Sequence, residues 1–372
     1  MRQTLTTTHG TAVHWPRTIL ARSFCVVCLV ALSAGSALGQ ASLVGKRVVV
    51  INDKAPLAVS GQAVSMAEEC SVFSVDKVDG VWLWIKSERA YLRRGDVVPF
   101  EDALCHYTRQ LEANRTASNY WSRAKIWRLK GQLNCAMSDM NSAIKLDPTQ
   151  PLWFIGRGIL WYDMKEHDKA VSDHSEAIRL DPRNVSAYGN RANAWTAKKE
   201  FDKAIADHDE ALKRGAQSMK TGALGHTEFT GGDSASMVNS RALSLNNRGN
   251  AWRNKGDYGN AIADYEEAIR LDPKFKNPHN GLAWLRATCP DEKYRNGQQA
   301  VEYATKLCEM SAWKVGNSLD TLAAAYAEAG DFAKAVEWQQ KGIDLAPADK
   351  KADYIARLKL YRVHKPYRQT AK

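Results

Sequence analysis

The apparatus of several familiar enzyme classes is missing from this 372-residue sequence. There is no Gly-x-Ser-x-Gly elbow, no His-Glu-x-x-His pair, no Gly-rich phosphate loop and no His-Arg-Asp catalytic loop. Those absences exclude the common hydrolase, zinc-protease, nucleotide-binding and kinase patterns. Ser122-Arg123-Ala124-Lys125 fits the Ser-x-x-Lys of some acyl transferases but has no companion motif. Cysteines number seven, and their spacings match no zinc ligand set. Long apolar runs are missing too: Phe24 to Leu32 falls well short of the roughly 20 residues that span a bilayer. No enzyme activity, metal or cofactor is therefore expected.

What is present is an ordinary globular composition, 44% hydrophobic and 25% charged, so wholesale disorder is not expected. The formal charge is +11; Arg2, Arg17 and Arg22 contribute to it within residues 1–39, where no acid occurs, leaving +8 beyond them. A basic excess favours acidic partners through long-range attraction. Arg17 and Arg22 precede the apolar run, which leads into Ser33-Ala34-Gly35-Ser36-Ala37-Leu38-Gly39. That order of charge, apolar core and small residues predicts an export signal over residues 1–39, cut before Gln40, with a cut after Ala41 as the alternative. The expected location is periplasmic or secreted. Cys25 and Cys28 would leave with the signal; Cys70, Cys105, Cys135, Cys289 and Cys308 remain. An oxidising destination makes a disulfide between Cys289 and Cys308 an expectation, with the other three reduced.

Residues 45–100 carry β-branched and aromatic runs at Val48 to Ile51, Ser71 to Val78 and Val81 to Ile85, separated by turn residues such as Asp79-Gly80 and Arg94-Gly95-Asp96. Short strands with tight turns predict a small bent barrel. The stretch resembles bacterial SH3-like domains, in which a Trp-x-Trp strand precedes a Gly-Trp-Val strand. Here the first reads Trp82-Leu83-Trp84 and the second Ala90-Tyr91-Leu92. In envelope proteins such a resemblance implies contact with the cell wall.

From Glu101 the texture is helical. A connecting helix is expected over 101–116, and then a ladder appears. Ala124, Gly158 and Ala192 stand 34 residues apart, each followed three residues later by Trp and twelve later by Ala. The ladder restarts at Gly249 with Trp252, Ala261 and Ala268, and weaker units begin at Ala283 and Ala323. Two helices and two turns fit that period. The small residues let helix backbones approach closely, so the Trp ladder reads as core and not as a platform for nucleic acid. Asp147-Pro148, Asp181-Pro182 and Asp272-Pro273 close the second helix of their pairs, since Pro cannot continue a helix and restricts its predecessor. His174 and His208 occupy the place of Tyr265 and read as packing residues.

Residues 117–348 resemble tetratricopeptide repeats, with Asn247-Arg248-Gly249-Asn250-Ala251-Trp252 and Tyr265 to Pro273 close to that family's consensus. The resemblance implies a mainly α fold: a right-handed solenoid of about six helix-turn-helix repeats, closed by a capping helix and basic tail over 349–372. Two departures stand out. Residues 216–238, with Gly222, Gly225, Gly231 and Gly232, predict an inserted loop. The fifth repeat is stretched near Cys289-Pro290-Asp291, where Ala287 to Asp291, Ala300-Val301-Glu302 and Asp320 to Tyr326 resemble a subfamily common in exported planctomycete proteins.

In this family the first helix of each repeat lines a groove that holds peptides. The third and fourth repeats place Asn190, Asn193, Asn246, Asn247, Asn250, Arg253 and Asn254 there. Asn is a poor helix-interior residue, while its amide can both donate to and accept from an extended backbone. The resemblance thus implies a scaffold that binds an extended segment of another protein. Lysines of the carboxylate-binding type are not in place, so a chain-terminal carboxylate is not the expected ligand.

Overall fold

The computed structural model describes residues 43–52, 55–59, 62–67, 69–221 and 234–370. The expected export segment, with its cut before Gln40, lies outside them, as do Gly222, Gly225, Gly231 and Gly232. The chain divides into two compact units, one ending at Ala113 and the other beginning at Asn114.

In the first unit eight short strands form two antiparallel sheets. Strand β1 (Arg47–Val50) lies between β4 (Val72–Ser74) and β8 (Val97–Pro99). The second sheet has the order β3 (Gln62–Ala67), β2 (Ala55–Val59), β7 (Ala90–Arg93), β6 (Trp82–Ile85), β5 (Lys77–Asp79). The period-two alternation of a half-buried strand is plain in β6: Leu83 and Ile85 point into the core, Trp82 and Trp84 outward. Both sheets share one core, which includes Val48, Val50, Leu57, Leu83, Ile85 and Leu92. The run expected as one strand from Ser71 to Val78 is two, because the chain passes from one sheet to the other at Val75-Asp76. The β2–β3 hairpin was not expected; its Ala, Pro and Gln carry little strand propensity.

Helix α1 (Ala103–Ala113) does more than connect. It buries Ala103, Tyr107 and Leu111, and the Tyr107 hydroxyl donates to the Val50 carbonyl at 3.2 Å.

The second unit is a helical solenoid of six pairs and a cap. The pairs are α2 (Ala117–Leu129) with α3 (Leu133–Leu146), α4 (Pro151–Asp163) with α5 (His167–Leu180), and α6 (Val185–Ala197) with α7 (Phe201–Thr221). They continue as α8 (Ser234–Lys255) with α9 (Tyr258–Leu271), α10 (Lys276–Thr288) with α11 (Gly297–Met310), and α12 (Gly316–Glu328) with α13 (Phe332–Asp344). Helix α14 (Ala348–Arg362) packs against α13 at the end of the stack.

The ladder residues are where close packing needs them: Ala124, Ala192, Ala136, Ala170, Ala204, Ala261 and Ala268 are all buried. Asp147, Asp181 and Asp272 leave the helical conformation at ψ 92° before their prolines. Each first helix touches the first helix of the next pair, whereas successive second helices make few contacts at most. The first helices therefore form the inner, tighter layer of the stack.

Two expectations need correction, the bounds of the 216–238 loop and the Cys289–Cys308 disulfide. Residues 216–221 and 234–238 of the loop expected over 216–238 are helical, since α7 runs through Thr221 and α8 begins at Ser234; the remainder lies outside the described residues. The stretch expected in the fifth repeat is present, as a 3-10 turn, Glu292–Tyr294, between its two helices. Cys289 and Cys308 form no disulfide. Cys289 packs with Leu282, Leu285 and Tyr265, while Cys308 belongs to a different apolar cluster and donates its thiol to the Ser318 carbonyl at 3.4 Å.

Candidate functional site

The inner helices are held in place by a repeated ion pair. Arg123, Arg157, Arg191 and Arg248 each stand one residue before the small ladder residue of their first helix. Each grips an Asp sixteen residues on, in the second helix of the same pair, through two parallel bonds: Asp139, Asp173, Asp207 and Asp264, all at 2.6–2.8 Å. Bidentate Arg–carboxylate geometry is both strong and orienting. A third nitrogen reaches back to the preceding pair, from Arg157 to Asn141, Arg191 to Ser175 and Arg248 to Asp209. These bonds fix how each inner helix is rotated about its axis. The remaining polar positions are thereby aimed consistently along one face. Sequence reasoning missed this device, although the 16-residue Arg-to-Asp spacing recurs four times.

The predicted groove residues divide into two groups. Asn246 is 3% exposed and donates to the Asn247 side chain at 3.0 Å, so it is an interior residue and not part of an open surface. Asn250 accepts from the Tyr265 hydroxyl at 2.8 Å. Tyr265 is fully buried, and burial is the main reason its hydroxyl is pushed up to about 12. Asn190, Asn193, Asn247, Arg253 and Asn254 are half-buried. His174 and His208, 1% exposed each, are core residues as expected.

Arg253 and Asn254 line a small cleft with Gly256 and Tyr258, and its other wall is the C-terminal tail: Tyr367, Gln369 and Thr370. After α14 the chain reverses at His364 (φ 54°) and runs back along the inner layer without regular structure. The Tyr367 ring lies 5.8 Å from Trp284 on α10 and 5.4 Å from the Arg357 guanidinium. Arg368 pairs with Glu328 on α12 at 2.5 Å and donates to the Ala287 carbonyl at 3.3 Å. The Gln369 amide donates to the Thr288 carbonyl at 2.9 Å. A tail expected to be simply basic thus lies against α10 and α12 and beside Arg253 and Asn254, with Arg362 and Lys365 exposed and Arg368 engaged.

Arg357 is anchored from below. It pairs with Asp320 at 2.8 Å, and Gln339 donates to the same carboxylate at 2.8 Å. Burial pushes the Asp320 carboxyl up, and Arg357 opposes that rise.

Tetratricopeptide repeat models match residues 155–218, 242–275 and 315–346. The chain carries tetratricopeptide repeats. The matches fall on the second and third pairs, the fourth and the sixth; the first and fifth pairs share the geometry. Proteins with such repeats bind other proteins or peptides and are generally non-enzymatic scaffolds. No curated protein matches the sequence. Among solved structures the chain is similar to Pseudomonas aeruginosa PilF, at 16% identity and TM-score 0.50 over 64% of this chain and 96% of that one. It is also similar to PilW, a type IV pilus biogenesis factor, at 16% identity and TM-score 0.52, covering 64% and 98%. A chain of the anaphase-promoting-complex assembly Cut9–Hcn1 gives 17% identity and TM-score 0.51 over 71% of this chain and 46% of that one. At these identities the likeness is one of fold. Among the described residues no helix is long and apolar enough to cross a membrane, and no cluster of three His, Cys, Asp or Glu is placed to hold a metal.

Proposed function

We propose that this exported, non-enzymatic repeat protein binds an extended segment of another protein along the inner layer of first helices. The observation that supports this reading most strongly is the tail. An extended stretch of chain already lies on that layer, bonded through its backbone at Gln369 and its side chain at Arg368. Next to it, Arg253 has no ion-pair partner among the described residues; on α6, the Asn190 and Asn193 amides make no side-chain bonds among the described residues. Amides would pair with the partner's backbone, and Arg253 would attract an acidic side chain. A photo-reactive side chain at Asn193 should crosslink the partner, while one at Lys213, on the exposed side of α7, should not. Crosslinking at Lys213 alone would move the site to the outer layer.

A second reading rests on the β unit. Trp82, Trp84 and Tyr91 lie half-exposed on the outer face of one sheet, with the Trp84 and Tyr91 rings 4.9 Å apart. An SH3-like unit with such a face would suit attachment to the cell wall, the repeats acting as spacer. Trp84→Ala in the full chain should then abolish co-sedimentation with isolated peptidoglycan; unchanged sedimentation would remove this reading.

A further inference from the structure

We propose that the inner face of the last two repeats is a recognition site for an extended segment carrying an aromatic residue followed directly by arginine. Tyr367-Arg368 of the chain's own tail fills that site until such a segment displaces it. The inference rests on the reading of the inner layer as a peptide-binding surface and adds the chemistry of the ligand and its built-in competitor.

The site is built, independently of the tail, from groups that are themselves fixed. One half is an aromatic clamp. The Arg357 guanidinium lies 5.4 Å from the Trp284 ring and 5.0 Å from the Tyr354 ring, and its other side is tied to Asp320, 2% exposed. A guanidinium so anchored and a neighbouring indole both attract the π-system of an incoming ring. Tyr367 occupies that space.

The other half is a carboxylate whose orientation is set in advance. The Glu328 side chain is 13% exposed, and its Oε1 accepts from Arg295 Nε at 3.1 Å. Arg295 belongs to the extra turn that stretches the fifth repeat and is itself held by the carbonyls of Cys289 and Pro290, at 3.0 and 3.2 Å. Oε2 is thereby aimed at the groove, where Arg368 meets it at 2.5 Å. The added turn thus has a use: it positions the acid that reads the arginine. A ring clamp and an oriented carboxylate side by side select two adjacent side chains. The carbonyls of Ala287 and Thr288 accept from the segment alongside them.

The tail is suited to being displaced. It has no regular secondary structure from Lys365 to Thr370, and the contacts described at Tyr367, Arg368 and Gln369 tie it to the inner layer. Being tethered, it competes at a high effective concentration. A free ligand therefore sees only the fraction of molecules whose groove is open, and its apparent affinity falls by that fraction.

The test uses a fluorescent peptide of residues 363–372 and the full-length chain. The tail variant Tyr367→Ala/Arg368→Ala leaves the bed intact and should bind this peptide at least tenfold more tightly than the wild type. A peptide with alanine at both positions should bind neither chain, and adding Glu328→Gln to the tail variant should lower peptide affinity at least tenfold. Hydrogen exchange in the wild type supplies a readout that needs no variant: the Gln369 amide should be protected. Equal peptide affinity for wild type and tail variant would overturn the proposal, as would a Gln369 amide exchanging at the rate of free coil. Crosslinking at Asn193 concerns a different pair of helices, so its outcome judges the general groove reading separately.

Discussion

A Cβ placed on Gly249 would lie 2.9 Å from Cε1 of Tyr265, closer than side chains ever come. Gly281, on the next first helix, faces the same ring at the same distance. Tyr265 therefore fills the gap between two inner helices, and the glycines make room for it. Gly249→Leu should destabilise the fourth repeat by about 1–3 kcal/mol or more through overpacking. A thermal melt checks this, and an unchanged curve would contradict the packing described.

The Arg191–Asp207 pair should matter in a way surface pairs do not. Its side chains are 22% and 10% exposed, and the bonds are bidentate. Asp207→Ala should cost about 1.5–3 kcal/mol, the range for hydrogen bonds to charged groups. Arg179, 67% exposed and paired with Glu176 three residues away, should give no measurable change when replaced by alanine. Chemical denaturation of the two variants tests the contrast.

Two buried imidazoles make the solenoid acid-sensitive. Burial first, and Arg191 second, holds His174 down at about 3; burial and Arg248 hold His208 at about 4. Both lie below the ordinary value of 6.5 that applies to the unfolded chain. The unfolded state therefore takes up protons first as the pH falls. The stability these residues contribute is intact above pH 6.5 and is lost progressively below it, toward pH 4 and 3. Each should remove about 1.4 kcal/mol per pH unit over that window. His174→Gln should flatten the fall in stability between about pH 6.5 and 5 by roughly that slope; an unaltered slope would contradict the assignment.

The 34-residue ladder was legible because close helix approach admits only small residues, and they must recur at fixed places. The Asp-Pro stops were legible for a similar reason: one residue type enforces one backbone outcome. The Arg-to-Asp rungs were in plain view as letters, but only the packed geometry shows that Arg191 spans two helices at once. The β2–β3 hairpin was hidden by alanine-rich strands whose pairing comes from the sheet, not from propensity. Asn246 and Asn250 looked like open groove amides, yet the packing turns the first inward and gives the second to Tyr265. The tail was the hardest to foresee. Arg368 meets Ala287, 81 positions away, and nothing in a short coil with one proline signals so distant a contact.

Export remains a sequence-based expectation with a direct check. Amino-terminal sequencing of the protein from cells should begin at Gln40 or, as the alternative, Ser42. Full-length chain with an intact Met1 in the cytoplasm would contradict it.

The central claim is that the inner layer holds a partner's extended segment. Asn193 and Asn250 occupy equivalent places on α6 and α8, and Arg253 follows Asn250 by one turn on the same face. Each lost neutral hydrogen bond costs about 0.5–1.5 kcal/mol and the charged one about 1.5–3. The most direct measurement is the affinity of a purified partner for the variant Asn193→Ala/Asn250→Ala/Arg253→Ala, with circular dichroism recorded alongside. The loss of the Asn250 bond to Tyr265 should lower the melting point slightly but leave the helical spectrum intact. Binding at least tenfold weaker, with that spectrum, is the result the account predicts; wild-type affinity with the same spectrum would contradict it.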